Sequence, residues 1–343
     1  MDTSSESQTT RHGSARQTED GSFKSQVKSA CERLADVRHE VGRAIVGQKA
    51  VIDGLLMGML VGGHVMLEGV PGLAKTRTVR SLSDTLDAQF KRIQFTPDLL
   101  PADLVGTMIY RQQTGEFVPR KGPVFANVVL ADEVNRAPAK VQSALLEAME
   151  EHQVTLGDET YPLPDPFFVL ATQNPIEQEG TYPLPEAQLD RFVLKLRVDY
   201  PSPEDELAIL HRVGDHQEIE LNRVLFQPEL RRLRDVATQV NVDARIEKYI
   251  VRLVLASRQT NRNANRFSRH IDFGASPRAS IYLYRCSKVN ALFDGRTYVV
   301  PDDVKAVAHN VLRHRIILSY EAESEELTTD DVVTQLLQAI PVP

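Results

Sequence analysis

The run Val65-Met66-Leu67-Glu68 leads directly into the turn Gly69-Val70-Pro71-Gly72-Leu73-Ala74-Lys75-Thr76. The apolar run predicts a buried strand, and the helical spacing of Val79, Leu82 and Leu86 predicts a helix after the turn. The turn matches the phosphate-binding P-loop pattern G-x-x-x-x-G-K-[ST], except that Ala74 replaces the second glycine. A strand, this turn and a helix in that order predict a nucleotide site.

The turn supplies the groups that bind a nucleoside triphosphate. Backbone N–H groups of such a turn, with a helix N-terminus behind them, hold phosphate oxygens. We expect Lys75 to reach the β- and γ-phosphates and the Thr76 hydroxyl to bind Mg²⁺. The residues expected to contact the nucleotide here are Gly69, Pro71, Gly72, Leu73, Ala74, Lys75, Thr76 and Arg77. The alternative is a glycine-containing turn with a chance lysine.

A second candidate element is the apolar run at residues 128–131, which ends in the adjacent carboxylates Asp132 and Glu133. A buried strand that ends in two carboxylates is typical of a Walker B site. We expect Asp132 to hold Mg²⁺ through water within the nucleotide site, and Glu133 to orient and activate the attacking water. The alternative is a strand followed by an acidic helix cap, which the P-loop upstream makes weaker.

Asn174 follows a third predicted strand, at residues 167–171. In an open α/β sheet, ligands bind at the carboxyl ends of the strands, where the P-loop and the two carboxylates are also expected. The Asn174 amide could therefore contact the γ-phosphate or the attacking water. The alternative is an ordinary turn asparagine before a proline.

The rest of the sequence predicts a parallel sheet and a helical domain. Residues 92–95 and 192–198 are further strand candidates, with helical patterns between strands. Hairpins are predicted around residues 112–115 and 157–158. Pro201 and Pro203 mark a boundary, after which helices are predicted at residues 207–213, 228–240, 244–260, 277–292 and 301–312. We predict a disordered tail over residues 1–22, an α/β core over 23–200 and a helical domain over 201–343.

Composition narrows the class of protein. The chain of 343 residues has a net charge of -7, which lowers the expectation of nonspecific nucleic-acid binding. Cys31 and Cys286 lie far apart without metal-ligand neighbours, so we expect reduced thiols and a cytoplasmic location. The most apolar stretch, residues 51–67, contains Asp53, His64 and four glycines, so we expect no membrane span.

Five segments together resemble the MoxR family of AAA+ ATPases: residues 69–76, 131–137, 171–175, 179–192 and 274–279. The resemblance covers roughly residues 30–325, and Ala74 agrees with the MoxR form of the P-loop. It implies an α/β P-loop NTPase of the AAA+ type. This fold has a parallel five-stranded sheet flanked by helices and a C-terminal all-α lid domain.

The resemblance also implies roles that spacing does not show. Asn174 matches the sensor 1 position, and Arg278 matches sensor 2 in the lid. Arg191, at the predicted start of the last strand, matches the arginine finger that reaches a neighbouring subunit's nucleotide. The segment expected beside the adenine is Val46, Gly47 and Gln48. Without the resemblance, Arg191 and Arg278 would be interpreted as ordinary surface charges; Arg136 is a lower-ranked candidate for contacting phosphate.

For the whole protein, the resemblance implies ATP and Mg²⁺ as cofactors and a homo-oligomer in the form of a hexameric ring. It further implies a chaperone-like role toward partners that carry a von Willebrand factor A domain, with the two hairpins facing the ring pore or the partner. Two alternatives stay open: a nucleotide-dependent switch that hydrolyses slowly, and a DNA-acting or chelatase-like motor. The acidic composition argues against nucleic acid as a partner.

Overall fold

The computed structural model describes residues 7–70, 72–174, 181–214, 219–258 and 267–343. Its N-terminal part alternates helices and strands. Their bounds are α1 (Ser7–Ala44), α2 (Lys49–Val61), β1 (Val65–Gly69), α3 (Lys75–Thr85), β2 (Phe90–Gln94), α4 (Pro101–Val105), β3 (Gly106–Arg111), β4 (Glu116–Lys121), β5 (Val128–Asp132), α5 (Ala139–Glu151), β6 (Gln153–Leu156), β7 (Glu159–Pro162), β8 (Phe168–Gln173), α6 (Glu186–Leu189) and β9 (Leu194–Val198).

A parallel five-stranded sheet lies at the centre, in the order β2-β5-β8-β1-β9. Successive residues of β1 face opposite sides of it. Val65 and Leu67 pack into a core with α1, α2 and α3, whereas Met66 packs into a second core with α5. The predicted α/β fold with a sheet covered on both faces is confirmed. All five strands run parallel, so the turns after β1, β5 and β8 meet at one edge.

Both predicted hairpins are present. β3 pairs antiparallel with β4, and β6 pairs antiparallel with β7. The β3–β4 hairpin carries Tyr110 and Phe117 opposite one another, with ring centroids 5.2 Å apart and both side chains largely exposed. This hairpin therefore projects an aromatic pair away from the core.

The C-terminal part is mainly helical, as predicted. Its elements are α7 (Pro203–Gly214), α8 (Gln227–Gln239), α9 (Ala244–Ser257), β10 (Ile271–Phe273), α10 (Pro277–Phe293), α11 (Pro301–Leu312), β11 (Ile317–Leu318), α12 (Tyr320–Ser324) and α13 (Thr329–Ala339). The expected all-α lid also contains one short antiparallel pair, β10 with β11. These strands have two or three residues each, too few to show an alternating pattern in the sequence.

Two boundaries differ from those expected. Helix α1 begins at Ser7, within the segment predicted to be a disordered tail, although its first described core side chain is Val27. Strand β9 begins at Leu194, so Arg191 precedes the strand and lies on a turn. In that turn the Arg191 N–H donates to the Gln188 carbonyl at 3.2 Å. Among the residues that the structure describes, no helix has the length and apolar character of a membrane span.

Candidate functional site

The P-loop turn joins the carboxyl end of β1 to the first residue of α3. Ala74 has a φ of 53° and Gly72 a φ of 88°, both in the left-handed region. That region favours glycine, which explains why glycine is usual at the position that Ala74 occupies. Pro71, also expected at the nucleotide, lies outside the described residues.

Lys75 lies close to the carboxylates of Asp132 and Glu133. Its Nζ donates to the Gly69 carbonyl at 2.5 Å, so the amine is directed back over the turn. Burial lowers the pKa of the Lys75 amine, and the nearby charges of Asp132 and Glu133 partly offset that shift. A half-buried ammonium at the N-terminus of a helix is suited to bind phosphate oxygens.

Asp132 is buried at the end of β5 and is held on both sides. Its Oδ1 accepts a hydrogen bond from the Thr172 hydroxyl at 2.5 Å. Its Oδ2 accepts from Nη2 and Nε of Arg92, at 2.7 and 3.0 Å. Asp132 and the Thr76 hydroxyl, in the first turn of α3, supply hard oxygen donors of the kind that Mg²⁺ prefers. The residues present therefore fit the implied ion.

Glu133 extends from a strained backbone. Its φ of 56° is in the left-handed region, and its N–H donates to the Thr172 hydroxyl at 2.8 Å. The Gln94 amide donates to its Oε2 at 2.8 Å, and Arg136 Nε lies 3.1 Å from the same oxygen. Arg136, the lower-ranked candidate, therefore contacts the predicted catalytic carboxylate in this state.

Asn174 is buried directly after β8. The pairing of β8 with β5 aligns Ala171 with Ala131, so the residues that follow these two strands reach the same edge of the sheet. The structure therefore brings Lys75, Asp132, Glu133 and Asn174 to one edge.

A cavity of about 500 Å³ adjoins the P-loop. Its walls include Val46, Gly47, Leu73 and Ala74 from the predicted nucleotide site, and the exposed Arg77 also lines it. The volume lies in the range of small-molecule sites. Helix α7, in the C-terminal part, supplies another wall through Asp205 and Ile209, which the sequence did not identify.

Gln48 also lines this cavity, but its side-chain amide is already engaged at both ends. Its Nε2 donates to the Leu73 carbonyl at 2.7 Å, and its Oε1 accepts from the Thr78 hydroxyl at 2.8 Å. Gln48 thus connects the start of α2 to the P-loop. Gln48 belongs to the segment expected beside the adenine, and its side chain holds the turn.

Arg191 and Arg278 lie at the amino-terminal ends of the parallel strands, whereas the P-loop lies at their carboxyl ends. Together with His64, which precedes β1, they line a smaller cavity of about 160 Å³. A strand of five residues is about 16 Å long, and this distance separates its two ends. The structure therefore does not bring these two predicted catalytic residues together with Lys75 of the same chain.

Glu150, near the end of α5, holds both arginines. Its Oε2 lies 2.6 Å from Arg191 Nη1, and its Oε1 lies 2.7 Å from Arg278 Nη2. Arg191 also donates to the Leu146 carbonyl at 3.0 Å. The sequence did not identify Glu150, because an acidic residue on the outer face of a helix has the pattern of an ordinary solvated charge.

Comparisons with known proteins place these features in a family. Residues 64–194 match the family described as ATPase family associated with various cellular activities (AAA), and residues 263–336 match the AAA lid domain. The chain is 48% identical to Chaperone MoxR1 of Mycobacterium tuberculosis over 305 residues, which is 89% of this chain and 81% of that protein.

Two further comparisons agree. The chain is 30% identical to Protein MoxR of Methylorubrum extorquens over 333 residues, which is 91% of this chain and 96% of that protein. A solved structure of a candidate ATPase from Cytophaga hutchinsonii superposes with a TM-score of 0.87 at 49% identity, covering 95% of this chain and 99% of that one. With its P-loop, Walker B strand and lid, this chain belongs to the MoxR family of AAA+ ATPases.

Proposed function

We propose that this protein binds ATP with Mg²⁺ and hydrolyses its γ-phosphoanhydride bond. The observation that carries the proposal is the convergence of Lys75, Asp132, Glu133 and Asn174 at one edge of the sheet, beside a cavity large enough for a nucleoside. A cation that binds phosphate, a pair of carboxylates and a polar amide are the groups that P-loop hydrolysis uses.

Each side chain has a separate task in the proposal. Lys75 and the N-terminus of α3 hold the phosphates, and Glu133 accepts the proton of the attacking water. Asn174 orients that water or the γ-phosphate. When bound by Asp132 and Thr76, Mg²⁺ would supply positive charge to the phosphate oxygens. Gln94 and Arg136 both contact Oε2 of Glu133, so accepting a proton at that oxygen would displace them.

The arrangement of the two arginines supports action between subunits. Arg191 and Arg278 share Glu150 at the edge of the sheet away from their own P-loop, where a neighbouring chain could approach. We infer a homo-oligomeric ring, most simply a hexamer, in which these arginines face the nucleotide of the next subunit. In this proposal the core spans residues 23–200 and the lid residues 201–343.

ATP turnover is proposed to drive remodelling of partner proteins in the cytoplasm. One relative is named a chaperone, and the exposed pair Tyr110 and Phe117 offers an apolar contact for a partner or a pore. Partners with a von Willebrand factor A domain are the proposed class, on the basis of the family resemblance.

The test of the site is nucleotide affinity in Lys75→Ala, measured with a fluorescent ATP analogue and by hydrolysis. We expect binding to weaken by at least ~100-fold, because a charge-assisted contact to phosphate is lost. Lys248→Ala, which removes an exposed lysine from lid helix α9, is the matched control and should bind as wild type does. Equal affinity in both variants would show that the P-loop is not the nucleotide site.

A further inference from the structure

Arg315 is a buried charge that the proposed hydrolysis does not use. It follows α11, in the lid, and its side chain has an exposed fraction of 0%. Burying a guanidinium is unfavourable unless hydrogen bonds and a counter-charge compensate for the lost water. Its contacts therefore indicate what the residue holds in place.

All five N–H donors of Arg315 are engaged. Its Nε donates to Asp190 Oδ1 at 2.8 Å. Its Nη2 donates to the carbonyls of Asp190, at 2.9 Å, and of Phe192. Its Nη1 donates to the carbonyl of Val193, at 3.2 Å, and to that of Val311. Four of the five acceptors belong to residues 190–193, which we call the finger loop because it carries Arg191.

A neighbouring lid residue reinforces this contact. His314 Nε2 lies 3.0 Å from the Phe192 carbonyl, and burial lowers the pKa of its imidazole well below the usual value. The neutral ring is therefore the form present, and its Nε2–H is the donor to that carbonyl. Two consecutive lid residues thus bind the backbone of the finger loop.

The Asp190 carboxylate links the finger loop to Arg278 as well. Ser276 donates through its hydroxyl to Asp190 Oδ2 at 2.8 Å, and the Ser276 oxygen accepts from the Arg278 N–H at 3.2 Å. Ser276 caps the N-terminus of α10, and Arg278 is in the first turn of that helix. One carboxylate therefore connects Arg315, the cap of α10 and the loop that carries Arg191.

We propose that Arg315 is a positioning residue that fixes the finger loop to the lid, so that Arg191 and Arg278 face the neighbouring subunit as one rigid pair. This inference rests on the proposed function, in which both arginines act on the next subunit's nucleotide. Lid and finger loop then move together, and a lid movement caused by a chain's own nucleotide repositions the arginines that serve its neighbour.

Position matters here because a charge stabilises the transferring phosphate only at the correct distance, and an error of 1 Å in such a site costs about 100-fold in rate. Lysine at position 315 keeps the charge but has three donors, which cannot reproduce a five-donor fork. Arg315→Lys should therefore loosen the finger loop without leaving a buried carboxylate unpaired.

The experiment measures KM, kcat and ATP affinity in the assembled full-length protein, with folding checked by thermal unfolding. We expect Arg315→Lys to lower kcat by ~10- to 100-fold while ATP affinity stays within about twofold of wild type. Mixing it with Lys75→Ala subunits should restore activity, because the Lys75→Ala chain supplies an intact finger loop to the intact P-loop of the Arg315→Lys chain.

The control is Arg313→Lys, two residues earlier. Arg313 also joins the lid to the core, through the Lys195 carbonyl at 3.3 Å, and it binds Asp330 within the lid at 3.0 Å; it does not contact residues 190–193 in these hydrogen bonds. Its substitution should leave kcat within about twofold of wild type. If Arg315→Lys does not fold, Ser276→Ala, which removes a hydroxyl contact to Asp190 and no charge, carries the same expectations.

Two outcomes would overturn the inference alone. One is an unchanged kcat in Arg315→Lys while Arg191→Ala is inactive. The other is a parallel loss of ATP affinity and kcat with no rescue by Lys75→Ala, which would make Arg315 a structural residue of its own subunit. Failure of the proposed function gives a different result, since Arg191→Ala itself would then keep its turnover.

Discussion

Arg92 and Asp132 lie on neighbouring strands and form an ion pair in which both Nη2 and Nε of the arginine donate to one carboxylate oxygen, at 2.7 and 3.0 Å. The strands β2 and β5 pair in parallel, which places Gln94 opposite Asp132 and Arg92 two residues before it. The proposed Mg²⁺ ligand is therefore paired with a cation from the adjacent strand, so we expect Arg92 to compete with the ion.

The first prediction concerns that competition. Arg92→Gln should lower the Mg²⁺ concentration for half-maximal ATP hydrolysis by about two- to fivefold, the range for a partly exposed ion pair worth up to ~1 kcal/mol. A titration of Mg²⁺ at fixed ATP measures this. Arg285→Gln, at an exposed arginine of α10, is the control. A higher Mg²⁺ requirement in Arg92→Gln would mean that the arginine orients Asp132 for the ion.

The second prediction concerns the unusual P-loop alanine. Ala74→Gly should retain ATP binding and raise the free energy of unfolding by up to about 1 kcal/mol, because the φ of 53° strains any residue with a Cβ. Urea unfolding measures the change. The control is Ala35→Gly, at an exposed site within α1. It should lower the free energy of unfolding by about 0.5–1 kcal/mol, the opposite direction. A less stable Ala74→Gly protein would contradict the strain argument.

The third prediction concerns pH. The Val169 N–H donates to His64 Nδ1 at 3.0 Å, and Nε2 lies 3.0 Å from the Met149 carbonyl, so the ring is neutral with its proton on Nε2. Burial lowers the pKa of His64 to about 4 from 6.5. The unfolded chain therefore binds the proton first, and stability present above pH 6.5 is lost as the pH falls toward 4.

From pH 7 to pH 5, this one histidine should cost about 2 kcal/mol of unfolding free energy. His64→Gln should lose less stability over that interval than the wild type, as measured by urea unfolding at each pH. His39→Gln, at an exposed histidine of α1, should keep the wild-type dependence of unfolding free energy on pH. The same pH dependence in all three proteins would show that His64 does not take up a proton on unfolding.

The sequence could locate candidate residues that lie at the end of a strand or in the turn after it. Asp132 ends an apolar strand, Lys75 and Asn174 follow one, and parallel strands bring these positions to a common edge. It could not predict Arg92 or Arg315, because their partners lie 40 and 125 residues away and no local pattern marks them. Contacts of that separation depend on how β2 aligns with β5 and on how the lid packs on the core.

The start of α1 was missed for a different reason. The first twenty residues are polar and lack the apolar spacing from which a helix is predicted, so the sequence offers no signal for a helix that begins at Ser7. Prediction from periodicity depends on burial. Apolar spacing predicts a helix over residues 23–46, close to Val27, the first described side chain of α1 in the core.

The fourth prediction separates binding from chemistry. Glu133→Gln keeps the size and hydrogen-bonding capacity of the side chain but removes the charge that accepts a proton from water. ATP should bind with nearly wild-type affinity, and turnover should fall by roughly 100-fold or more. Glu147→Gln, a substitution on an exposed turn of α5, is the control for charge alone. Wild-type turnover in Glu133→Gln would leave Glu133 as a strand-end acid without a catalytic role.

The last prediction tests the ring through Arg191. Its guanidinium is held by Glu150 at the end of the sheet away from its own P-loop, so in the proposed ring we expect it to act on a neighbouring nucleotide. Arginine fingers contribute about 10³–10⁵ in rate. Arg191→Ala should therefore bind ATP normally and hydrolyse it poorly, whereas Lys75→Ala should fail to bind it.

Mixing the two inactive proteins should restore activity, because some interfaces then pair the intact P-loop of one chain with the intact Arg191 of the next. The measurement is ATPase rate against mixing ratio, after labelled chains have confirmed that subunits exchange. Activity should be greatest at intermediate ratios and absent from either parent. A double variant that carries both substitutions, mixed with either parent at the same ratios, is the control. It should give no comparable recovery, since no interface then combines both intact parts. A flat curve in the first mixture, despite verified exchange, would show that Arg191 does not act across an interface.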